Sequence, residues 1–213
     1  MERVLYEGTG PAGVGFVIEC LTDKRTRTAQ NMRIAFKDNR GTMGTKTMWS
    51  FKQCGSVVCS FFVPNNNYQN NSQNQNNKGQ VERNEKVIEQ LEMALIELLN
   101  ENEEYQVETV DHSDSDDASL VPYTEIRVVV LTEPVKVHDL NRLLSGGDFL
   151  LSEHLKQECN VARTDSEMSV IYHPTMYVDV AKQEDTEDLL EIVSTLEDDD
   201  DVVNVFHNAR FVD

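Results

Sequence analysis

Leu5-Tyr-Glu-Gly-Thr-Gly-Pro-Ala-Gly-Val14, then Ile18-Glu-Cys-Leu-Thr-Asp-Lys-Arg-Thr-Arg-Thr28, then Arg40-Gly-Thr-Met-Gly44 and Met48-Trp-Ser-Phe51 decide how this chain folds. Val4 to Tyr6 and Val14 to Leu21 read as strands on either side of a glycine-punctuated turn region, Gly8 to Gly15. Glycine suits such a turn because positive φ is sterically free only without a Cβ. A helix is predicted from Thr28, as N-cap, to Asn39, with Gly41 as the stop signal. Ala29, Met32, Ala35 and Phe36 recur at helical spacing and form its apolar stripe, while Arg33, Lys37 and Arg40 project elsewhere. Thr47 to Phe51 and Ser56 to Val63 then read as a hairpin turning around Gln53 to Gly55.

Outward from this stretch the pattern changes several times. Asn65 to Asn77 is an Asn/Gln tract with almost nothing apolar to bury, and it is expected to be a disordered insertion spanning residues 64–80. A self-associating segment is the alternative there. From Asn84 to Asn100, residues Val87, Ile88, Leu91, Leu95, Leu98 and Leu99 share one helical face, with glutamates opposite. Asp111 to Ser119 reads as an acidic, Ser-rich loop and Tyr123 to Leu131 as a strand. Thr132 with Pro134 opens another helix, expected to break at Gly146 and Gly147 and resume to about Glu158. Glu167 to Tyr172 and Met176 to Val180 are strands separated by Pro174. Asp185 to Leu196 is the last helix and Val202 to Phe206 the last strand.

The first block is thus β-α-β and the last β-α-β, with a helix-strand-helix-strand unit between them. The economical architecture is α+β: a split, ferredoxin-like α/β domain with a second small α/β domain inserted. The expected division is residues 1–63 plus 174–213 for the discontinuous domain and residues 81–173 for the insert.

The chain has 213 residues, 39% of them hydrophobic, enough for one or two ordinary cores. Mean hydropathy is -0.48, and no apolar run approaches the roughly 20 residues needed to span a bilayer, so no membrane span is expected. The net charge of -19 argues against indiscriminate nucleic-acid binding by the whole surface. That charge is uneven. Residues 1–63 hold nine Lys/Arg against five Asp/Glu, a balance of +4, which leaves -23 for the rest. A small basic region on an acidic body is compatible with docking to RNA at one face only.

That basic region centres on Asp23-Lys-Arg-Thr-Arg-Thr28, which leads into a helix N-terminus. Backbone N–H groups, hydroxyls and guanidinium forks converge there, a combination that suits phosphate oxygens. Lys24, Arg25, Arg27, Thr28, Arg33, Lys37, Arg40 and Lys46 are the candidate RNA-facing residues. Spacing alone leaves open a solvated loop in which Asp23 or Thr28 merely caps the helix. Base-edge reading is not indicated, because few exposed aromatics interleave with these charges.

Other sharp readings fall away. Tyr6 to Gly13 lacks the Gly-Lys-Ser/Thr ending of a phosphate loop. Cys20, Cys54, Cys59 and Cys159 form no Cys-x-x-Cys pair, so buried reduced thiols are expected rather than zinc ligands or disulfides. Glu197 to Asp201 lacks the ligand alternation of a calcium loop and is expected to be a helix end entering a solvated turn. His112, His138, His154, His173 and His207 are scattered, with His207 expected to hydrogen-bond at a strand end. No nucleophile elbow or distinct carboxylate pair is visible, so no catalytic residue, metal or cofactor is expected.

The motif order resembles the YebC family, which includes mitochondrial translational activators of cytochrome c oxidase subunit I. The resemblance rests on Tyr6 to Gly13, Glu19 to Thr28 and Gly41 to Phe51. At the other end it rests on Leu196-Glu-Asp-Asp-Asp-Asp-Val-Val-Asn-Val-Phe-His-Asn208. The middle, from about Pro64 to Ser166, matches only in its order of elements. Lys24 stands where the family usually has Asn, and the basic helical domain that usually precedes the first motif is expected to be missing. The resemblance implies the same discontinuous architecture and tips the basic loop toward RNA contact. It implies a non-enzymatic translation factor that binds the ribosome and its rRNA or tRNA, with mRNA a further candidate, and supports elongation. Mitochondrial localisation is likewise implied by resemblance, since no transit peptide is visible at Met1. The alternatives are a DNA-binding transcriptional regulator of the same family, or a protein-interaction module without nucleic-acid binding.

Overall fold

A computed structural model of the chain describes residues 1–64, 73–99, 103–112, 123–145, 161–163 and 166–212. The fold is mixed α+β and divides into two compact units. One is discontinuous, Met1–Gln53 with Ile171–Asp213, and the other is inserted in it, Cys54–Val170.

The discontinuous unit is built on an antiparallel sheet. Strands β1 (Glu2–Thr9) and β2 (Gly15–Thr22) pair along their whole length, from Glu2↔Thr22 to Thr9↔Gly15. The turn between them is a short 3-10 segment, Pro11–Gly13, with Ala12 and Gly13 at positive φ. Helix α1 (Arg25–Asp38) follows, then the short β3 (Thr42–Met43) at the sheet edge beside Gly8 and Thr9. The C-terminal segment adds β9 (Val178–Val180), helix α4 (Gln183–Glu197), β10 (Val202–His207) and β11 (Ala209–Phe211). The sheet order is β10-β2-β1-β3, and β9 and β11 form a separate parallel pair.

Alternation along β2 places Phe16, Ile18 and Cys20 on one face. There they pack with Met32, Ala35 and Phe36 of α1 and Leu189, Ile192 and Leu196 of α4. The Phe36 ring lies directly over Gly8, where an added Cβ would sit 2.6 Å from Phe36 Cζ.

The inserted unit holds most of β4 (Phe51–Pro64), α2 (Gln73–Leu98), β5 (Glu104–His112), β6 (Tyr123–Thr132), α3 (Val137–Ser145), β7 (Ala162–Arg163) and the first half of β8 (Glu167–Pro174). Its sheet runs β5-β6-β4-β7, with β8 also pairing with β4. Val57, Cys59, Phe61 and Val63 of β4 and Ile126, Val128 and Val130 of β6 meet Val87, Leu91 and Leu95 of α2. Val137, Leu140 and Leu144 of α3 close the same core.

The structure departs from several expectations. The predicted hairpin over residues 47–63 is a 3-10 turn, Met48–Ser50, running into one 14-residue strand, β4. Gly55 serves close approach rather than a turn, because a Cβ there would sit 2.8 Å from Val137 Cβ. The unit boundary accordingly falls after Gln53 and not after residue 63.

Helix α1 starts at Arg25 with Lys24 in the N-cap position, so Thr28 lies inside it. At the other end the left-handed residue is Arg40, at φ 56°, and Gly41 N–H donates to the Phe36 carbonyl. Helix α2 starts at Gln73, which removes Gln73 to Gln80 from the expected disordered insertion. Gln80 Nε2 donates to Asn84 Oδ1 and Asn84 Nδ2 to Thr124 Oγ1, tying that turn to β6. Strands β3, β5, β7 and β11 are additional to the predicted elements. Asn65 to Ser72, most of the acidic Ser-rich loop, the continuation of the third helix to Glu158, His154 and Cys159 lie outside the described residues.

Candidate nucleic-acid interface

The eight predicted residues are spread along α1 and the loop after it, a helix length of about 21 Å at 1.5 Å per residue. Lys24, Arg25, Arg27 and Thr28 stand where β2 ends. Arg40 and Lys46 stand at the opposite end of the sheet, where β3 returns beside Gly8 and Thr9. They do not form one pocket.

Thr28 is withdrawn from any surface role. It is 0% exposed, and its hydroxyl lies 2.7 Å from Asp201 Oδ2 and 2.8 Å from Thr22 Oγ1. Thr22 Oγ1 also donates toward Asp201 Oδ2 at 3.1 Å and accepts the Lys24 N–H at 3.0 Å. Arg27 closes this network from outside, its Nη2 lying 2.9 Å from both oxygens of Asp201 and 2.9 Å from Asp23 Oδ1. The Arg27 guanidinium, then the Thr28 hydroxyl, hold the Asp201 carboxyl below the ordinary carboxylate range.

The acidic run is therefore not a wholly solvated turn. Asp201 is a buried acceptor, and Asp199 accepts from Asn31 Nδ2 and from the Asp201 N–H. The part of the basic loop expected to face RNA is partly neutralised by the other end of the chain.

Two more arginines are engaged. Arg25 forms a two-pronged pair with Glu2. Arg40 bonds Asp188 and Asp185 and donates to the Glu184 carbonyl, anchoring the end of α1 to α4. Lys24, Arg33, Lys37 and Lys46 remain: all four are exposed and carry no ion pair among the described residues. Arg33 and Lys37 are one turn apart on α1, and Thr26 and Gln30 extend the same exposed row at helical spacing.

Beyond α1 the chain presents a feature not anticipated from sequence. Trp49 is 71% exposed, and its indole N–H donates to the Lys46 carbonyl. The turn carrying it is held firmly. Glu7 Oε2 accepts the N–H groups of Thr47 and Met48 at 2.6 and 2.8 Å, Thr47 Oγ1 donates to the Phe16 carbonyl, and Ser50 Oγ donates to the Thr47 carbonyl. The signal was Trp itself in a Lys-Thr-Met-Trp run, masked by the expectation of a strand there.

The remaining candidate groups are structural. Burial, with Asp199 and Asp201 nearby, pushes the Cys20 thiol up to about 12, and burial raises Cys59 as well. Both therefore stay protonated at neutral pH. His207 Nδ1 accepts the Ala209 N–H at 3.3 Å, as a strand-end histidine was expected to do, and burial lowers its pKa. Asn208 uses both ends of its side chain: Oδ1 accepts the Gly15 N–H at 2.8 Å and Nδ2 donates to the Met176 carbonyl. Among the described residues no group of three His, Cys, Asp or Glu is placed to hold a metal ion, and no helix is long and apolar enough to cross a membrane.

The fold and the position of the Tyr-Glu-Gly, Thr-Asp and His-Asn motifs within it define a two-unit α+β protein with its motifs gathered in the discontinuous unit. The chain belongs to the TACO1/YebC family: the family profile described as "TACO1/YebC second and third domain" matches residues 1–209. It is 29% identical over 210 residues to the "probable transcriptional regulatory protein all4276" of Nostoc sp., covering 98% of this chain and 62% of that one. It is 28% identical over 211 residues to the "probable transcriptional regulatory protein YrbC" of Bacillus subtilis, covering 98% of this chain and 65% of the relative. The chain thus spans a little under two thirds of the length of these relatives. Among solved structures it is similar in fold to the conserved hypothetical protein Aq1575 of Aquifex aeolicus, with a TM-score of 0.59 at 19% identity, over 100% of this chain and 66% of that one.

Proposed function

We propose that this chain is the RNA-docking part of a non-enzymatic translation factor that binds the ribosome and supports elongation. The observation that carries this reading is the row of cations left uncommitted. Arg33 and Lys37 share the exposed side of α1, with Lys24 and Lys46 beyond its two ends, and none has an acidic partner among the described residues. Elsewhere in the same unit arginines are taken up by carboxylates, as Arg25, Arg27, Arg40 and Arg210 are. In a chain of net charge -19, such a row directs polyanion binding to one side and repels it from others. The contact would be to backbone phosphates of rRNA or tRNA, and so shape-dependent rather than sequence-reading. Mitochondrial ribosomes are the proposed site of action, on the resemblance to activators of cytochrome c oxidase subunit I.

A second reading, a DNA-binding transcriptional regulator, is favoured by the names of the bacterial relatives. Against it stands the absence, among the described residues, of a helix-turn-helix arrangement around α1, which is followed by a strand.

Fluorescence anisotropy with a structured RNA hairpin and with duplex DNA of equal charge, over a salt series, separates the readings. The translation-factor reading expects tighter binding to the hairpin. It also expects Arg33→Glu/Lys37→Glu to flatten the salt slope by roughly the 0.7–0.9 per lost phosphate contact. Tighter binding to duplex DNA would favour the regulator.

A further inference from the structure

We infer that Trp49 is a stacking platform for an unpaired nucleobase, so that the bound RNA is single-stranded or looped where it passes the Lys46–Trp49 turn. The inference rests on the RNA-docking reading and adds to it the kind of RNA and the mode of contact.

Four observations carry it. Trp49 is the chain's single tryptophan and is 71% exposed, while its neighbours Thr47 and Ser50 are buried at 7% and 3%. A solvent-facing indole contributes little to a core, so its place here is not explained by packing. Its N–H is already satisfied by the Lys46 carbonyl at 3.1 Å, which fixes the ring and leaves its apolar faces as the surface on offer. A ring of that kind recognises the π-face common to all bases and makes no demand on base identity.

The platform is also rigid before anything binds. Glu7 takes two consecutive N–H groups of the turn, Thr47 is tied to β2 through the Phe16 carbonyl, and Thr9 and Thr45 hydroxyls meet at 2.7 Å. Gly44, at φ +89° with open space around it, lets the chain enter the turn sharply. The Ser50 carbonyl then accepts the Thr175 N–H, which brings the partly exposed Met176 and Tyr177 to the chain segment beside it. Finally, Lys46 is exposed, without an ion pair among the described residues, and three residues from the ring, where the phosphate of a stacked nucleotide needs a cation. A duplex keeps its bases stacked on each other and offers nothing to an indole face; an unpaired base does.

Because Trp49 is the single tryptophan, its emission reports on this site alone. The purified chain is titrated with an unstructured 12-nucleotide RNA and with a 12-base-pair RNA duplex, following tryptophan emission and, with end-labelled copies, anisotropy. The expected result is strong quenching by the single strand and little by the duplex. Trp49→Leu should weaken single-strand binding about tenfold and Trp49→Phe much less, with circular dichroism melting unchanged in both. Anisotropy showing single-strand binding with unaltered emission, or with equal affinity for Trp49→Leu, overturns the stacking inference and leaves RNA docking standing. No anisotropy change with either RNA overturns both.

Discussion

Arg27 and Asp201, 174 positions apart in sequence, meet through Arg27 Nη2 at 2.9 Å from both carboxylate oxygens, and this contact ties the start of α1 to the turn before β10. Behind it Thr22 and Thr28 present hydroxyls to the same carboxylate. The two most recognisable motifs of the chain, the Thr-Asp-x-Arg-Thr-Arg-Thr stretch and the acidic run before His207-Asn208, are thus two halves of one structural clasp. The acidic run beside the basic loop is partly internal: Asp201 is a buried acceptor and Asp199 accepts from Asn31 and the Asp201 N–H, while Glu197, Asp198 and Asp200 are exposed.

The clasp should be acid-sensitive. Arg27 first, then Thr28, hold the Asp201 pKa below its ordinary value of about 3.9. A depressed carboxylate contributes stability that is fully present above the unfolded value and is lost as pH falls through the folded one. Thermal melts should therefore show no Asp201 contribution to pH dependence between pH 7 and 5, and a loss below about pH 4. Asp201→Asn should melt lower at neutral pH and show a flatter acid limb; an unchanged acid limb would deny the clasp its role.

Thr28 tests the same site without changing charge. Thr28→Val keeps the shape and removes a buried hydroxyl bonded to a carboxylate, which should cost about 1.5–3 kcal/mol in urea unfolding. Thr28→Ser should retain most of that stability. RNA affinity measured on the folded fraction should be unaffected, since the side chain is wholly buried.

His207 gives a pH signal in a different window. Burial holds its imidazole below the ordinary value of about 6.5, while Glu197 pulls weakly the other way. The folded state disfavours the proton, so stability should fall as pH drops from about 6.5 toward the lowered folded value. His207→Gln should remove that limb from the melting curve between pH 7 and 5 while leaving the more acidic Asp201 limb in place.

Gly8 should resist replacement. A methyl group there would sit 2.6 Å from Phe36 Cζ, and the Phe36 ring is itself held edge-on to Phe16, with centroids 5.3 Å apart. Gly8→Ala should cost about 1–3 kcal/mol, and Gly8→Ala/Phe36→Leu should recover part of that loss because the smaller side chain leaves room. Non-recovery would mean the glycine serves backbone geometry instead.

Much of this fold was legible because its cores follow simple periods. The helical spacing of Met32, Ala35 and Phe36 and the face of Val87, Leu91 and Leu95 both pointed inward as read, whereas β2, read only as a strand, is buried on both faces at Phe16, Val17 and Ile18. Gly55 misled because a glycine required by a close approach to Val137 looks, in sequence, the same as one required by a turn. Strand β5 escaped because its acidic outward residues, Glu104 and Glu108, obscured the inward Tyr105 and Val107. The candidate interface was legible only in part. The exposure of Arg33, Lys37 and Lys46 follows from local spacing, whereas the engagement of Arg27, Thr28 and Arg40 depends on carboxylates about 150 to 170 positions away, which no local pattern reports.

Docking of this chain onto the ribosome through the uncommitted cations of α1, as proposed, is read out by co-sedimentation. The chain and its Arg33→Glu/Lys37→Glu variant are pelleted with purified mitochondrial ribosomes at low and moderate salt. The unaltered chain should pellet in a salt-sensitive manner and the variant should stay in the supernatant, although both melt at the same temperature. Equal pelleting of the two proteins, or none by the unaltered chain at low salt, would contradict it.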